Sequence, residues 1–163
     1  MRVLGLDPGT ARTGYGFIDL LEGRLSAVHY GVIETAARTP MPQRLLEIHE
    51  QLLVLLETYQ PEAAAIEEIF FGRNITTAIS VGQARGVLML TLAQANLSIA
   101  EYSPPKIKEA VTGYGRADKQ QMQLMVRNLL DLSETPRPDD AADGLAVALT
   151  YCQYYRYESL LSD

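Results

Sequence analysis

The apolar run at the N-terminus, MRVLGLD, ends on the carboxylate of Asp7, and a Pro-Gly pair follows at once. A short continuous apolar run bounded by turn residues is typical of a buried strand. Two more strand patterns cover 13–21 and 25–35, with Gly23 at the turn between them, which predicts an antiparallel hairpin. Asp7 is therefore either a solvated turn residue or a charge that the sheet holds in place for a reaction.

The rest of the chain alternates segments of helical and strand-like periodicity. The further strands are predicted over 63–70 and 97–102. The helices are predicted over 42–59, 75–96, 104–111, 118–130 and from 138 to about 155. Right-handed crossovers would place the fourth strand beside the first and parallel to it. The sequence thus predicts one α/β domain over 1–163, with a mixed five-stranded sheet (βββαβαβ) flanked by helices.

Composition limits the class of protein. The apolar fraction of 47% is that of an ordinary globular chain, and no apolar stretch is long enough to span a membrane. The first residues show no signal-peptide pattern. Cys152 is the only cysteine, so an intrachain disulfide is impossible. We therefore expect a cytoplasmic protein with no membrane partner.

The charges are distributed unevenly along the chain. The net charge of −6 argues against a nucleic-acid partner. Residues 71–130, however, carry seven basic and three acidic side chains, so this segment is +4 and the remainder is −10. This asymmetry indicates either a local basic surface for nucleic acid or a solvated helix face.

Four carboxylates are predicted to meet at one edge of the sheet. Asp7 and Glu67 stand at the ends of strands predicted to be parallel, and Asp140 and Asp143 share one face at the start of the last helix. Crowded carboxylates raise one another's pKa values, and a hard cation such as Mg²⁺ or Mn²⁺ relieves the repulsion. Each acid also has a simpler interpretation, as a turn residue, as a solvated strand end (Glu67 or Glu68) or as a first-turn helix acid.

Several stretches resemble the RuvC-type Holliday junction resolvases of the ribonuclease H-like superfamily. They are GLDPGTARTGYG, AIEEIFFGRN, GQARGV, SPPKIKEAVTGYGRADKQQM and DAADGLAVAL, in the order of the family. The resemblance implies that the catalytic, metal-binding acids are Asp7, Glu67, Asp140 and Asp143. It sets aside the adjacent Glu68 and Asp139, the second of which also suits a helix N-cap. One departure is Gly144, where the family usually has alanine, and this glycine should weaken the helix slightly.

The resemblance also implies an activity. It is an endonuclease that resolves four-way DNA junctions by paired symmetric nicks, in recombination and repair. The implied cofactor is two Mg²⁺ ions per site, about 4 Å apart, with Mn²⁺ able to substitute. Two opposed cuts in a two-fold symmetric junction imply a homodimer. A branch-migration complex of the RuvA and RuvB type is the implied partner.

Basic and aromatic residues are predicted to contact the DNA. By resemblance, Lys119 lies near the scissile phosphate and Lys108 contacts the backbone. Phe70 would stack on an unpaired base at the junction centre, and Phe71 would belong to the core. The remaining predicted DNA contacts are Arg73, Arg85, Lys106 and Arg116.

Two other classes of protein share parts of this pattern. DPGTARTGYG also resembles the phosphate loop of sugar kinases, actin and chaperone ATPases. Those proteins need two such domains around a cleft, and 163 residues give one, so no nucleotide cofactor is expected. A non-catalytic nucleic-acid binder of the same fold is the second alternative. The complete set of four acids argues against this alternative. Carboxylates that face phosphate would not help a protein that only binds nucleic acid.

Overall fold

A central five-stranded sheet organises the fold in the computed structural model, which describes residues 1–69 and 75–161. The strands are Arg2–Asp7 (β1), Arg12–Leu21 (β2), Arg24–Glu34 (β3), Ala63–Glu67 (β4) and Ser98–Tyr102 (β5). The helices are Met41–Tyr59 (α1), Ile75–Gln94 (α2), Pro104–Thr112 (α3), Lys119–Leu129 (α4) and Asp139–Leu161 (α5). None of the helices in these described ranges has the length and apolar character needed to cross a membrane.

The strands form one mixed sheet in the order β3-β2-β1-β4-β5. β1 lies in the middle, antiparallel to β2 and parallel to β4. Leu6 is opposite Ile66 in the β1–β4 ladder, so the next residues along, Asp7 and Glu67, end neighbouring strands at the same edge. The predicted mixed five-stranded fold is confirmed, including the fourth strand beside the first.

Two predicted boundaries were wrong. The strand predicted over 63–70 ends at Glu67, because its neighbour β5 ends at Tyr102 and the chain turns there into α3. The last backbone contact of that pair runs from the Glu68 amide to the Tyr102 carbonyl, at 2.9 Å. The last helix continues to Leu161 and does not stop near residue 155. Stacked rings of Tyr151 and Tyr155, one turn apart, accompany this extension.

Alternation along β1 and β4 sends their side chains into two separate cores. Leu4 and Leu6 pack on the α1–α2 side, whereas Val3 packs on the side of α3, α4 and α5. Because successive side chains of a strand point to opposite faces, Asp7 points to the α5 side with Val3. The same alternation from Ala65, which packs on the α5 side, directs Glu67 there as well.

Glycines allow α5 to approach β2 unusually closely. A Cβ atom on Gly144 would lie 2.5 Å from the Cα atom of Tyr15, and a Cβ atom on Gly14 would overlap the Asp140 carbonyl oxygen. Gly144 was expected only to weaken the helix, but in this chain the absence of its side chain is a packing requirement. The close contact brings the first turns of α5, and with them Asp140 and Asp143, against the strand ends.

Candidate active site

Asp7 and Glu67 meet at the carboxyl ends of β1 and β4. Their carboxyl groups are close enough to share a hydrogen bond. Burial raises the pKa of Asp7 to about 8, and repulsion by the Glu67 and Asp140 carboxylates adds to the rise. The pKa of Glu67 is raised as well, first by burial. Both carboxyl groups therefore hold their protons to a higher pH than isolated carboxyl groups do.

Asp140 and Asp143 enter the same site from the first turns of α5. Burial raises the pKa of Asp143 to about 6, and the negative charge of Asp7 contributes to the rise. The Asp140 charge raises the pKa of Asp7 and of Asp143, and the Asp143 charge raises that of Glu67, so all four predicted acids interact. The structure thus brings together the four residues that the sequence singled out.

This set of donors fits a hard divalent cation. All four are carboxylates, and their crowding raises pKa values in a way that a bound cation would reverse. Within residues 1–69 and 75–161, no group of three or more His, Cys, Asp or Glu side chains is already drawn together as a metal-holding cluster. To hold an ion, the four carboxylates would have to move closer together than they are in this structure.

Lys119 is fixed at the first residue of α4. Asp118 caps this helix by accepting a hydrogen bond from the Gln121 amide at 2.9 Å, and the Gln121 side chain accepts one from the Asp118 amide. The Lys119 ammonium lies 3.0 Å from an Asp139 carboxylate oxygen. Its positive charge lowers the pKa of Asp7 and of Asp143, against the effect of burial.

Two open clefts adjoin the acids. One has a volume of about 220 Å³, and its walls include Glu67, Asp143, Lys108 and Lys119. The other has a volume of about 590 Å³ and lies between the α4 and α5 N-termini. Its charged walls are Arg12, Lys119, Arg137, Asp139 and Asp140. Lys119 borders both clefts, so its ammonium is accessible from either side.

The remaining predicted DNA contacts lie in different environments. Lys106 and Arg116 are exposed, beyond the residues that line the cleft. Arg85 points inward, with only 17% of its side chain exposed. Phe70 and Arg73, and also Phe71, lie outside the described residues.

Sequence reasoning missed Arg12 and Glu101. An Arg12 guanidinium nitrogen lies 4.0 Å from an Asp140 carboxylate oxygen, and another donates to Glu34 at 2.9 Å. Glu101 pairs with Arg85. The position of Arg12 directly after the Asp7 turn was a usable signal. Glu101 gave none, since its partner is distant in the sequence.

The loop after β1 is anchored through the Thr10 backbone and side chain. The Thr10 hydroxyl donates to the Ser80 carbonyl at 2.8 Å, and the Thr10 carbonyl accepts from the Thr35 hydroxyl at 2.6 Å. Both threonines are buried. A hydroxyl used in this way is not free to grip a nucleotide phosphate, which argues against the phosphate-loop alternative.

The sheet order, with acids at the carboxyl ends of β1 and β4, is typical of nucleases of the ribonuclease H-like fold. A family model described as crossover junction endodeoxyribonuclease RuvC matches residues 3–151. The chain belongs to this family. It is 53% identical over 161 residues to the crossover junction endodeoxyribonuclease RuvC of Syntrophomonas wolfei, covering 99% of this chain and 94% of the relative. It is 55% identical to that of Heliobacterium modesticaldum, covering 91% and 92%.

Solved structures agree with this assignment. Thermus thermophilus RuvC superposes with a TM-score of 0.89 at 37% identity, covering 97% of both chains. The T. thermophilus protein in complex with a Holliday junction substrate gives a TM-score of 0.91 at 37% identity, covering 97% of this chain and 96% of the other. The yeast mitochondrial resolvase Ydc2, at 17% identity and a TM-score of 0.71, shares the fold.

Proposed function

We propose that this member of the crossover junction endodeoxyribonuclease family resolves four-way DNA junctions at the site formed by Asp7, Glu67, Asp140 and Asp143. The observation that carries the proposal is the convergence of these four acids, beside Lys119, at the carboxyl ends of β1 and β4. Family membership supports the substrate class, and the related T. thermophilus RuvC structure contains a Holliday junction substrate.

Nuclease activity in this family implies dependence on a divalent metal. Our finer proposal is two Mg²⁺ ions per site, held by the four carboxylates, with Mn²⁺ as a substitute. When bound, such ions would activate water and stabilise negative charge on the attacked phosphate and the leaving oxygen. Asp7 is the residue we assign to both ions, because it ends the central strand and interacts with Glu67 and Asp140.

The chain's own cations act on the DNA. Lys119 would stabilise the negative charge that grows on the phosphate oxygens as the bond breaks, a charge larger than in the ground state. Asp139 holds the Lys119 ammonium at the mouth of the site. Lys108, across the same cleft, would contact the phosphate backbone. Exposed Lys106 and Arg116 would extend that contact, and the predicted roles of Phe70 and Arg73 remain proposals.

Paired nicks in a two-fold symmetric substrate favour a homodimer. Helix α2 offers a surface for it, since 59% of Ile79 and 58% of Leu90 is exposed. We expect Leu90→Asp to leave a monomer that binds junctions more weakly. Leu21→Asp is the matched control, because Leu21 is 60% exposed at the β2–β3 hairpin. Sedimentation velocity measures the oligomeric state of both variants. A Leu90→Asp protein that remains dimeric would exclude this surface of α2.

We also propose that the dimer works with a branch-migration complex of the RuvA and RuvB type. Action on cellular DNA agrees with the cytoplasmic location expected from the sequence. Co-sedimentation of the purified chain with such a complex on a junction is the direct measurement, and failure to co-sediment would remove this partner from the proposal.

The activity is tested by comparing substrates. A four-way junction, a linear duplex and an RNA–DNA hybrid are each incubated with the protein and Mg²⁺, and the products are mapped. We expect symmetric nicks in opposed strands of the junction and little cutting of the duplex, with Asp7→Asn protein as the inactive control. Equal cutting of the duplex would contradict junction selectivity, and preference for the hybrid would indicate a ribonuclease H.

A further inference from the structure

Arg85 reaches the active-site edge from the opposite side of the sheet. It lies on α2, whereas the acids point toward α5. Its Nε atom donates a hydrogen bond to the backbone carbonyl of Glu67 at 3.2 Å. Its Nη2 atom donates to the carboxylate of Glu101 on β5. One guanidinium therefore ties α2 to the ends of two neighbouring strands.

The Glu67 carbonyl needs a partner at this point. The β1–β4 ladder ends with Leu6 opposite Ile66, one residue before Glu67. A half-buried carbonyl left without a donor costs free energy comparable to a lost hydrogen bond. Arg85 provides the donor, and the Glu68 amide bonds to the Tyr102 carbonyl at 2.9 Å. The peptide unit that follows Glu67 is thus fixed on both sides.

Glu101 orients the arginine. It stands opposite Ile66 in the β4–β5 ladder, which places it one pair away from Glu67. The guanidinium is planar and presents its donors in a fixed fork, so an acceptor for one nitrogen sets the direction of the others. With 17% of its side chain exposed and both contacts made to protein, Arg85 is poorly placed to bind a DNA phosphate.

We infer that Arg85, oriented by Glu101, is a positioning residue that holds the Glu67 carboxylate in the geometry needed to bind metal. This replaces the role of DNA contact that the sequence predicted for Arg85. The inference rests on the proposed function of Glu67 as a metal ligand. Groups that orient metal ligands typically change metal affinity by about 10- to 100-fold when they are removed.

The first measurement is Mn²⁺ binding by the DNA-free protein, followed by calorimetry. We expect Arg85→Met to weaken Mn²⁺ binding by about 10-fold or more, and Glu101→Gln to weaken it less. Arg85→Lys keeps the charge and can donate to one acceptor, so an intermediate loss is expected. Arg2→Lys is the matched control, because Arg2 makes a two-bond pair with Asp19 away from the acids. It should lower stability without changing Mn²⁺ affinity.

The second measurement separates positioning from DNA contact. Junction affinity in Ca²⁺, measured across a salt series, should be unchanged in Arg85→Met, while the cutting rate at saturating protein falls and the Mg²⁺ concentration for half-maximal rate rises. Normal Mn²⁺ affinity with a salt slope reduced by about one phosphate contact would overturn the inference in favour of DNA contact. A normal Mn²⁺ affinity together with a normal salt slope would exclude both roles for Arg85. Wild-type protein that neither binds Mn²⁺ nor cuts would instead refute the proposed function.

Discussion

The Lys119 ammonium pairs with Asp139, at 3.0 Å, and not with either of the α5 acids proposed as metal ligands. This hydrogen bond raises the pKa of Lys119 and lowers that of Asp139. Asp139, which the resemblance set aside as a ligand, therefore has a structural relationship to the site. Asp139 holds the lysine between the two clefts that border the acids.

Lys119→Ala should lower the cutting rate by on the order of a hundredfold, because it removes a preorganised charge that stabilises the transition state. Junction affinity should change far less. Lys106→Ala, at an exposed position on α3, should instead weaken binding modestly and reduce its salt slope by about one phosphate contact. The assays are single-turnover cleavage at saturating protein and affinity across a salt series in Ca²⁺. A near wild-type rate for saturated Lys119→Ala would mean that the lysine only holds DNA.

Replacing any one of the four acids should abolish cutting and leave junction binding largely intact. The variants are Asp7→Asn, Glu67→Gln, Asp140→Asn and Asp143→Asn. Each should lower the rate by at least about a hundredfold, because a metal-binding carboxylate is lost. The matched controls are Glu68→Gln and Asp139→Asn, which should retain substantial activity, with some loss in Asp139→Asn because Lys119 loses its partner. The reverse pattern would show that the wrong member of each adjacent pair was chosen.

Without metal, Asp7 should destabilise the folded protein as the pH rises. Its pKa lies near 4 in an unfolded chain and at about 8 in the fold, so the folded form binds its proton more tightly. The contribution of Asp7 to the free energy of unfolding is therefore fully present below pH 4, and it is lost as the pH rises toward 8. In EDTA at pH 8.5, Asp7→Asn should be more stable than wild type by about 1–3 kcal/mol, and near pH 3.5 the difference should disappear.

Denaturant unfolding at several pH values measures this effect, and exposed Glu68→Gln serves as the control. Saturating Mg²⁺ should stabilise wild type and not Asp7→Asn, because only a protein that binds the ion in its folded state gains from it. An Asp7→Asn protein that is less stable than wild type in EDTA at pH 8.5 would contradict the raised pKa assigned to Asp7.

Gly144→Ala should destabilise the protein by about 1–3 kcal/mol, since its methyl group would meet the Tyr15 backbone. The displacement of α5 should also slow cutting by moving Asp140 and Asp143. Gly86→Ala is the matched control, because it is also helical but its Cβ would meet nothing within 4 Å. It should be neutral or stabilising by up to about 1 kcal/mol. Equal unfolding free energies for Gly144→Ala and wild type would mean that the helix can shift without cost.

The sequence by itself determined the strands and most helix bounds, and it predicted the four acids of the candidate site. Apolar alternation and helical spacing indicate which face of each element is buried, and residues close together in the sequence are enough to specify that face. Crossover handedness then placed Asp7 beside Glu67, and the spacing of Asp140 and Asp143 put them on one helix face. The order of the motifs identified the family from the same local information.

Only the tertiary structure decided which other residues lie close enough to position these acids. Arg85, which the sequence predicted as a DNA contact, donates to the Glu67 carbonyl and to the Glu101 carboxylate, because the packing of α2 on the sheet turns it inward. Gly144 changed from a weak point in a helix to a requirement for close approach. Such relationships join residues far apart in the chain, and they depend on the distance and direction at which packed elements meet. Residue periodicity specifies the buried face, but not that distance or that direction.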